Sequence, residues 1–288
     1  MKRTDGFIFL FLIICSTMQH HLAWAQEVEY GYYTAPYVRH EAEHATLGQG
    51  VQVYEAPLYT QSETASEASG RQYAALHAPS DYIEWVANSP ADGFTLRFTL
   101  PDGKNGQGQE GKLLVFVNGG QRATLNLSSY WAYQYFEGSN PENTPNNFPR
   151  MRFDEHRFRL EEPLQQGDTL KIMKGQVDDM EYGIDFIEME EIPQKWEKGA
   201  DAYAVTDFGA VPDDGKDDIT AFNQCVDQAF QDGKNVYIPE GRFVLDYRFR
   251  LTENNIKISG AGVWYTELHF SNNQKSAGGF FAEEGDRK

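Results

Sequence analysis

The sequence predicts an all-β chain in two parts, a β-sandwich followed by the opening coils of a parallel β-helix plugged by one α-helix. Three observations carry that prediction. Short runs of alternating apolar and polar residues, separated by turn residues, follow one another through residues 82–189. A single later stretch has helical periodicity, with Phe222, Cys225, Val226, Ala229 and Phe230 spaced by threes and fours on one face. Everything after that helix reads as short strands broken by Gly, Pro and Asn.

Residues 1–25 have the layout of an export signal. Lys2 and Arg3 form a basic end, Phe7 to Ile14 an apolar core, and Ala23-Trp24-Ala25 a small-x-small cleavage site before Gln26. The apolar run is too short to span a bilayer, so a secreted or periplasmic protein without a membrane partner is expected after cleavage. Cleavage also removes Cys15 and leaves Cys225, on the buried face of the helix, as a packed and inert thiol. The 43 acidic and 25 basic residues give a net charge of -18, which repels nucleic acid and anionic lipid. Aromatic residues make up 14% of the chain, too many for disorder and suited to β-structure and to sugar-stacking surfaces.

The first domain is expected over residues 27–192. Its strands are Tyr82–Val86, Phe94–Leu100, Leu113–Val117, Ala123–Leu127, Thr169–Ile172 and Gly183–Met189, with Asn118-Gly119 as a hairpin signal. Residues 193–200 read as a linker. Gly106 to Gly111 spells a dinucleotide fingerprint, but a strand follows instead of a helix, so no helix N-terminus is there to hold a pyrophosphate. Asp207-Phe208-Gly209 matches a kinase tripeptide with none of its companions and reads as a strand entering a turn.

The second part is expected over residues 201–288. Val205–Val211 leads into the turn Pro212-Asp213-Asp214-Gly215, Asp217 and Asp218 precede the helix, and Gly233 ends it. Strands follow at Val236–Ile238, Arg242–Leu245, Phe249–Leu251, Ile256–Ile258 and Glu267–Phe270. The helix is expected to cover backbone groups that the open end of a coil would expose. Asp213, Asp214, Asp217 and Asp218 lie in a turn and helix-start context, so a structural role is expected for them and no catalytic residue is named.

The run Val205-Thr206-Asp207-Phe208-Gly209-Ala210-Val211-Pro212-Asp213-Asp214-Gly215, with Pro239-Glu240-Gly241 and Gly260-Ala261-Gly262 after it, resembles the opening of the pectate-lyase-like, right-handed β-helix superfamily. In the sandwich, Glu41-Ala42-Glu43, Ser69-Gly70, Asp81-Tyr82-Ile83-Glu84-Trp85 and Ile184-Asp185 resemble carbohydrate-binding modules related to families 6 and 35, which implies a galactose-binding-like sandwich. That resemblance implies a structural Ca2+ held by Glu41, Glu43 and Asp185. By spacing alone the three read rather as solvated strand-end carboxylates; the resemblance makes the two readings even. The domain order, with Gly260-Ala261-Gly262-Val263-Trp264-Tyr265, is similar to the mycodextranase and α-1,3-glucanase family (glycoside hydrolase family 87).

Sugar recognition requires exposed aromatic faces beside hydrogen-bonding groups. Four aromatics fall within residues 130–135, next to a polar loop over 138–149. Strand alternation would put Trp131 and Tyr133 on one face and Tyr130 and Gln134 on the other; Trp131, Tyr133 and Tyr135 are the carbohydrate-binding candidates. The family implies a glycoside hydrolase acting on an α-glucan, with catalytic aspartates on coils past the capping helix. Only two or three coils fit before Lys288, so a truncated and inactive chain is expected. The alternatives are a non-catalytic polysaccharide-binding or adhesion protein, and a polysaccharide lyase or other β-helix hydrolase.

Overall fold

The computed structural model describes residues 29–30, 33–60, 63–135, 150–247, 249–251, 256–270 and 280–282. The expected export signal, with its expected cleavage site at Ala25, and the loop over 138–149 lie outside them.

Eleven strands build the sandwich: β1 (Val38–Glu41), β2 (Thr46–Leu47), β3 (Gln52–Glu55), β4 (Gln72–Leu76), β5 (Tyr82–Val86), β6 (Ala91–Thr99), β7 (Glu110–Val117), β8 (Gly120–Ser128), β9 (Asp154–Leu164), β10 (Thr169–Lys174) and β11 (Tyr182–Glu190). One sheet runs β8-β7-β10-β5-β2; the other runs β9-β6-β11-β4-β3, with β1 also paired to β11. All of these pairs are antiparallel. Alternate residues of the two inner faces interdigitate, Ile83, Trp85, Leu113, Val115, Leu170 and Ile172 against Phe94, Leu96, Phe98, Ile184 and Met189. Phe94 stacks on Phe158 at 5.0 Å.

The hairpin at Asn118-Gly119 forms as expected, with both residues at positive φ. Strand β9 was not expected from the sequence. Arg157, Arg159 and Glu161 crowd it with charge, and Phe158, Leu160 and Leu164 are its apolar side chains turned into the core. Its register shifts between Arg159 and Leu164, a stretch that includes Pro163, which has no N–H for the ladder.

The second part is a three-sided parallel coil. The strands β12 (Ala202–Ala204), β13 (Asn235–Ile238), β14 (Gly241–Leu245), β15 (Phe249–Leu251), β16 (Ile258–Gly260), β17 (Thr266–Phe270) and β18 (Phe280–Ala282) pair only in parallel, as β12-β13-β16, β14-β17 and β15-β18. The helix α1 (Ile219–Gln231) lies between β12 and β13 in the chain. It plugs the bottom of the coil: Phe222 meets Phe243 and Phe249 edge-on at 5.6 and 5.5 Å, and Cys225, Val226 and Ala229 are buried with it. Phe230 departs from the expected face. It is 47% exposed, one step around the helix from Ala229. Two strands also shift from expectation, since the ladder takes Ile258–Gly260 where Ile256–Ile258 was expected, and Thr266 joins β17.

Candidate functional site

Three places in the fold bring chemistry-bearing side chains together. The first is the carboxylate cluster on the outer face of the six-stranded sheet. Glu41 ends β1, and Glu43 lies in the 3-10 turn that follows it. Asp185 sits where the register of β11 against β6 slips by one residue, a bulge that re-aims its side chain. It is fully buried, accepts the Ser69 N–H at 2.9 Å, and forms a tight ion pair with Arg97. Burial pushes its pKa up to about 7 against the pull of Arg97. Ser69 Oγ donates to Glu41 Oε1 at 2.9 Å, tying Glu41 into the same knot. Glu41 Oε2 and Glu43 Oε2 are buried with no hydrogen-bond partner among the described residues. Burial raises the Glu43 pKa as well. Arg97 carried no signal in the sequence, where it reads as one more outward residue of an alternating strand.

The second place is the aromatic ledge after β8. Trp131 and Tyr133 do not share a strand face as alternation predicts. The Ala132 N–H bonds to Ser129 O at 3.0 Å, closing a turn that takes Trp131 out of any strand. Trp131 is 73% exposed and meets Tyr130 edge-on at 4.7 Å, so the two residues assigned to opposite faces are neighbours. Tyr133 and Tyr135 turn inward instead, their hydroxyls donating to Leu100 O at 3.0 Å and Asp102 Oδ2 at 2.5 Å.

The third is the seam between sandwich and coil, a cleft of ≈ 700 Å³ lined by Arg157 and Arg159 of β9 and by Asp213, Glu240, Tyr265 and Glu267 of the coil. The corner Gly260 to Tyr265 closes it. Trp264 Nε1 donates to Glu190 at 2.9 Å and its ring lies under Arg157, while Tyr265 donates to Pro193 O at 2.7 Å beneath Arg159. Gly93 is required here, because a Cβ would stand 2.9 Å from the Trp264 ring.

The aspartates before α1 do a different job. Asp213 Oδ1 accepts from Arg242 N at 3.0 Å, Asp218 Oδ2 from Val244 N at 3.3 Å, and Asp217 Oδ1 from Asp246 N at 2.9 Å. Three alternate donors on the lower edge of β14 are thereby satisfied by side chains. Asp217 also accepts from Ile219 N at 3.0 Å, at the start of the helix. Asp218 Oδ1 holds Val211 N at 2.9 Å, and burial raises its pKa.

This architecture has known counterparts. A family model described as the α-1,3-glucanase catalytic domain D1 matches residues 34–192, more than half of the 288-residue chain. The Agl-KA catalytic domain is 43% identical, with a TM-score of 0.78 over 86% of this chain. The chain belongs to the GH87 α-1,3-glucanase catalytic-domain family. A thermostable GH87 α-1,3-glucanase catalytic unit from Streptomyces thermodiastaticus strain HF3-3 is 28% identical over 81% of this chain, with a TM-score of 0.66. A GH87 α-1,3-glucanase catalytic domain solved in complex with nigerose is 25% identical over 81% of this chain, with a TM-score of 0.64. The GH87-family chain spans 45% of the first of these structures and 41% of the other two. Residues 202–286 match a model of rhamnogalacturonase A/epimerase, pectate-lyase-like proteins. No curated protein matches the chain. The family model for residues 34–192 is that of a GH87 catalytic domain, where the sequence resemblance had read a separate binding module.

Proposed function

We propose that this chain is the sandwich and first coils of a secreted glycoside hydrolase that cleaves α-1,3-glucan, with the sandwich contributing to polysaccharide binding. The carrying observation is the match of residues 34–192 to the α-1,3-glucanase catalytic domain, joined to 43% identity with the Agl-KA catalytic domain. Hydrolysis of a glycosidic bond takes two positioned carboxyl groups. Asp213, Asp217 and Asp218 are committed to backbone donors, so we assign the chemistry to coils stacked on β16, β17 and β18. The ledge of Tyr130 and Trp131 is the exposed aromatic surface for a sugar ring, with Tyr133 and Tyr135 bracing it from below. Export through residues 1–25 places the protein where polysaccharide is met, and the secreted form is expected to begin at Gln26.

The test measures reducing sugar released from insoluble α-1,3-glucan and from dextran, together with retention of the protein on each. The reading requires retention on α-1,3-glucan by this chain and sugar release once further coils are present. Retention without release in the extended protein would favour the adhesion alternative.

The carboxylate cluster fits a structural Ca2+ in part. Glu41 and Glu43 each keep a buried oxygen that a hard cation would satisfy, whereas both Asp185 oxygens are engaged by Arg97 and Ser69. We infer that Glu41 and Glu43 are the direct ligands and that Asp185 orients the Ser69 turn beside them. EDTA is expected to lower the melting temperature by several degrees and calcium to restore it, in differential scanning calorimetry. An unchanged melting curve removes the metal.

A further inference from the structure

One constellation is used neither by the sandwich core nor by the sites above. On the edge strand β3 all four residues are exposed, and Val53, Tyr54, Leu58 and Tyr59 form a run of exposed large apolar side chains. The Tyr54 ring is 37% exposed and lies 5.4 Å from the buried Tyr73 at 32°, so its outer surface is held flat by the ring beneath. Tyr54 also meets the His77 imidazole edge-on at 6.3 Å. Glu181 joins the group: its Oε1 accepts the Tyr73 hydroxyl at 2.8 Å, and its Oε2 lies 4.0 Å from His77 Nε2. Both polar side chains are about one-third exposed, at 36% for His77 and 33% for Glu181. His77 Nε2 itself is buried, with no hydrogen-bond partner among the described residues, so the imidazole packs behind this surface.

We propose that Tyr54 and Glu181 form a second glucan-binding site, in which a pyranose ring stacks on Tyr54 and its hydroxyls bond to Glu181, with the His77 imidazole packed between the two. This rests on the α-glucan reading above and extends it to a surface distinct from the Trp131 ledge. A pyranose offers a flat face of C–H bonds and a rim of hydroxyls that both donate and accept. The rigid tyrosine pair meets the first requirement at low ordering cost. Glu181 retains acceptor capacity after Tyr73, so it can take a sugar hydroxyl while still holding the tyrosine pair in place. The charge of -18 disfavours a second copy of the same acidic chain, and it leaves a neutral polyol without an electrostatic penalty.

The experiment titrates an α-1,3-linked gluco-tetrasaccharide calorimetrically into the full chain and into Tyr54→Ala, Glu181→Gln and Trp131→Ala, each first checked by its melting curve. Glu181→Gln keeps the shape and the Tyr73 hydrogen bond, so it remains informative if Tyr54→Ala unfolds. Tyr54→Ala and Glu181→Gln are each expected to weaken one binding event by about tenfold, while Trp131→Ala leaves that event intact. Unchanged affinity in both β3-side variants overturns the site and leaves the glucanase reading standing. Failure of the unaltered chain to bind any α-1,3-glucan overturns both. A concentration-dependent dimer abolished by Tyr54→Ala assigns the patch to self-association and also overturns the site.

Discussion

Lys174 is an ammonium group enclosed by protein. It is 1% exposed, and its Nζ donates to His77 O at 2.7 Å, Met180 O at 2.7 Å and Asp178 O at 3.1 Å. The Asp178 carboxylate completes the shell at 2.8 Å, and the Tyr182 ring lies 4.7 Å away. That carboxylate also accepts the Tyr182 hydroxyl and the Met180 N–H, and these bonds and Lys174 hold its pKa low against the cost of burial. Lys174→Met is expected to cost about 3–5 kcal/mol, because it strips the charge from an enclosed site where a carboxylate and three carbonyls converge on it. Urea unfolding of the two proteins measures the difference. Strand alternation puts Lys174 on the buried face with Leu170 and Ile172, and Lys171, three positions before it, on the half-buried other face. What the sequence does not show is the set of partners, which the loop at Asp178 supplies by folding back over the end of the strand. The same holds for Arg97 and Asp185, whose meeting depends on a bulge that alternation alone does not reveal.

At the scale of elements, helix α1 was legible because its apolar spacing is a local property. Phe222, Cys225, Val226 and Ala229 lie on the buried face that their spacing describes. Phe222→Ala is expected to lose about 3–5 kcal/mol, since the side chain is fully buried between two other rings. Loss of the near-ultraviolet dichroism of the coil at lower denaturant would report it. Burial raises the Cys225 pKa to about 12, so the thiol stays protonated and unreactive in the folded state. Five of the parallel strands were legible from their Gly and Asn punctuation, to within a residue or two, whereas β12 and β18 were not expected. The aromatic ledge was not, because the Ser129–Ala132 turn breaks the alternation on which the reading of Trp131, Tyr133 and Tyr135 relied. Strand β9 was missed because its charged residues, which face solvent and the seam, outnumber Phe158, Leu160 and Leu164, although the first two alternate with Arg157, Arg159 and Glu161.

At the scale of the whole molecule, sandwich and coil are joined by the corner that carries Trp264. The ring fills the space over Gly93 and Ile192, hydrogen-bonds Glu190 and lies under Arg157. The linker is tied down alongside, with Trp196 N donating to Ala261 O at 2.8 Å and Tyr237 donating to Trp196 O at 2.6 Å. Trp264→Ala is therefore expected to split a single calorimetric transition into two, one for each part, with the coil melting first. A single transition at an unchanged temperature would show that the corner is not the joint. The motif Gly260 to Tyr265, a family signature in the sequence, thus has a physical role in holding the two parts together.

The row of aspartates under β14 bears on how such a protein behaves at high concentration. A bare lower rim would offer Arg242, Val244 and Asp246 amides in a line, ready to be joined by the extended backbone of any neighbour. With each of the three already occupied by an acid side chain, and with negative charge placed where a new strand would approach, this rim gives a neighbouring chain no place to add on.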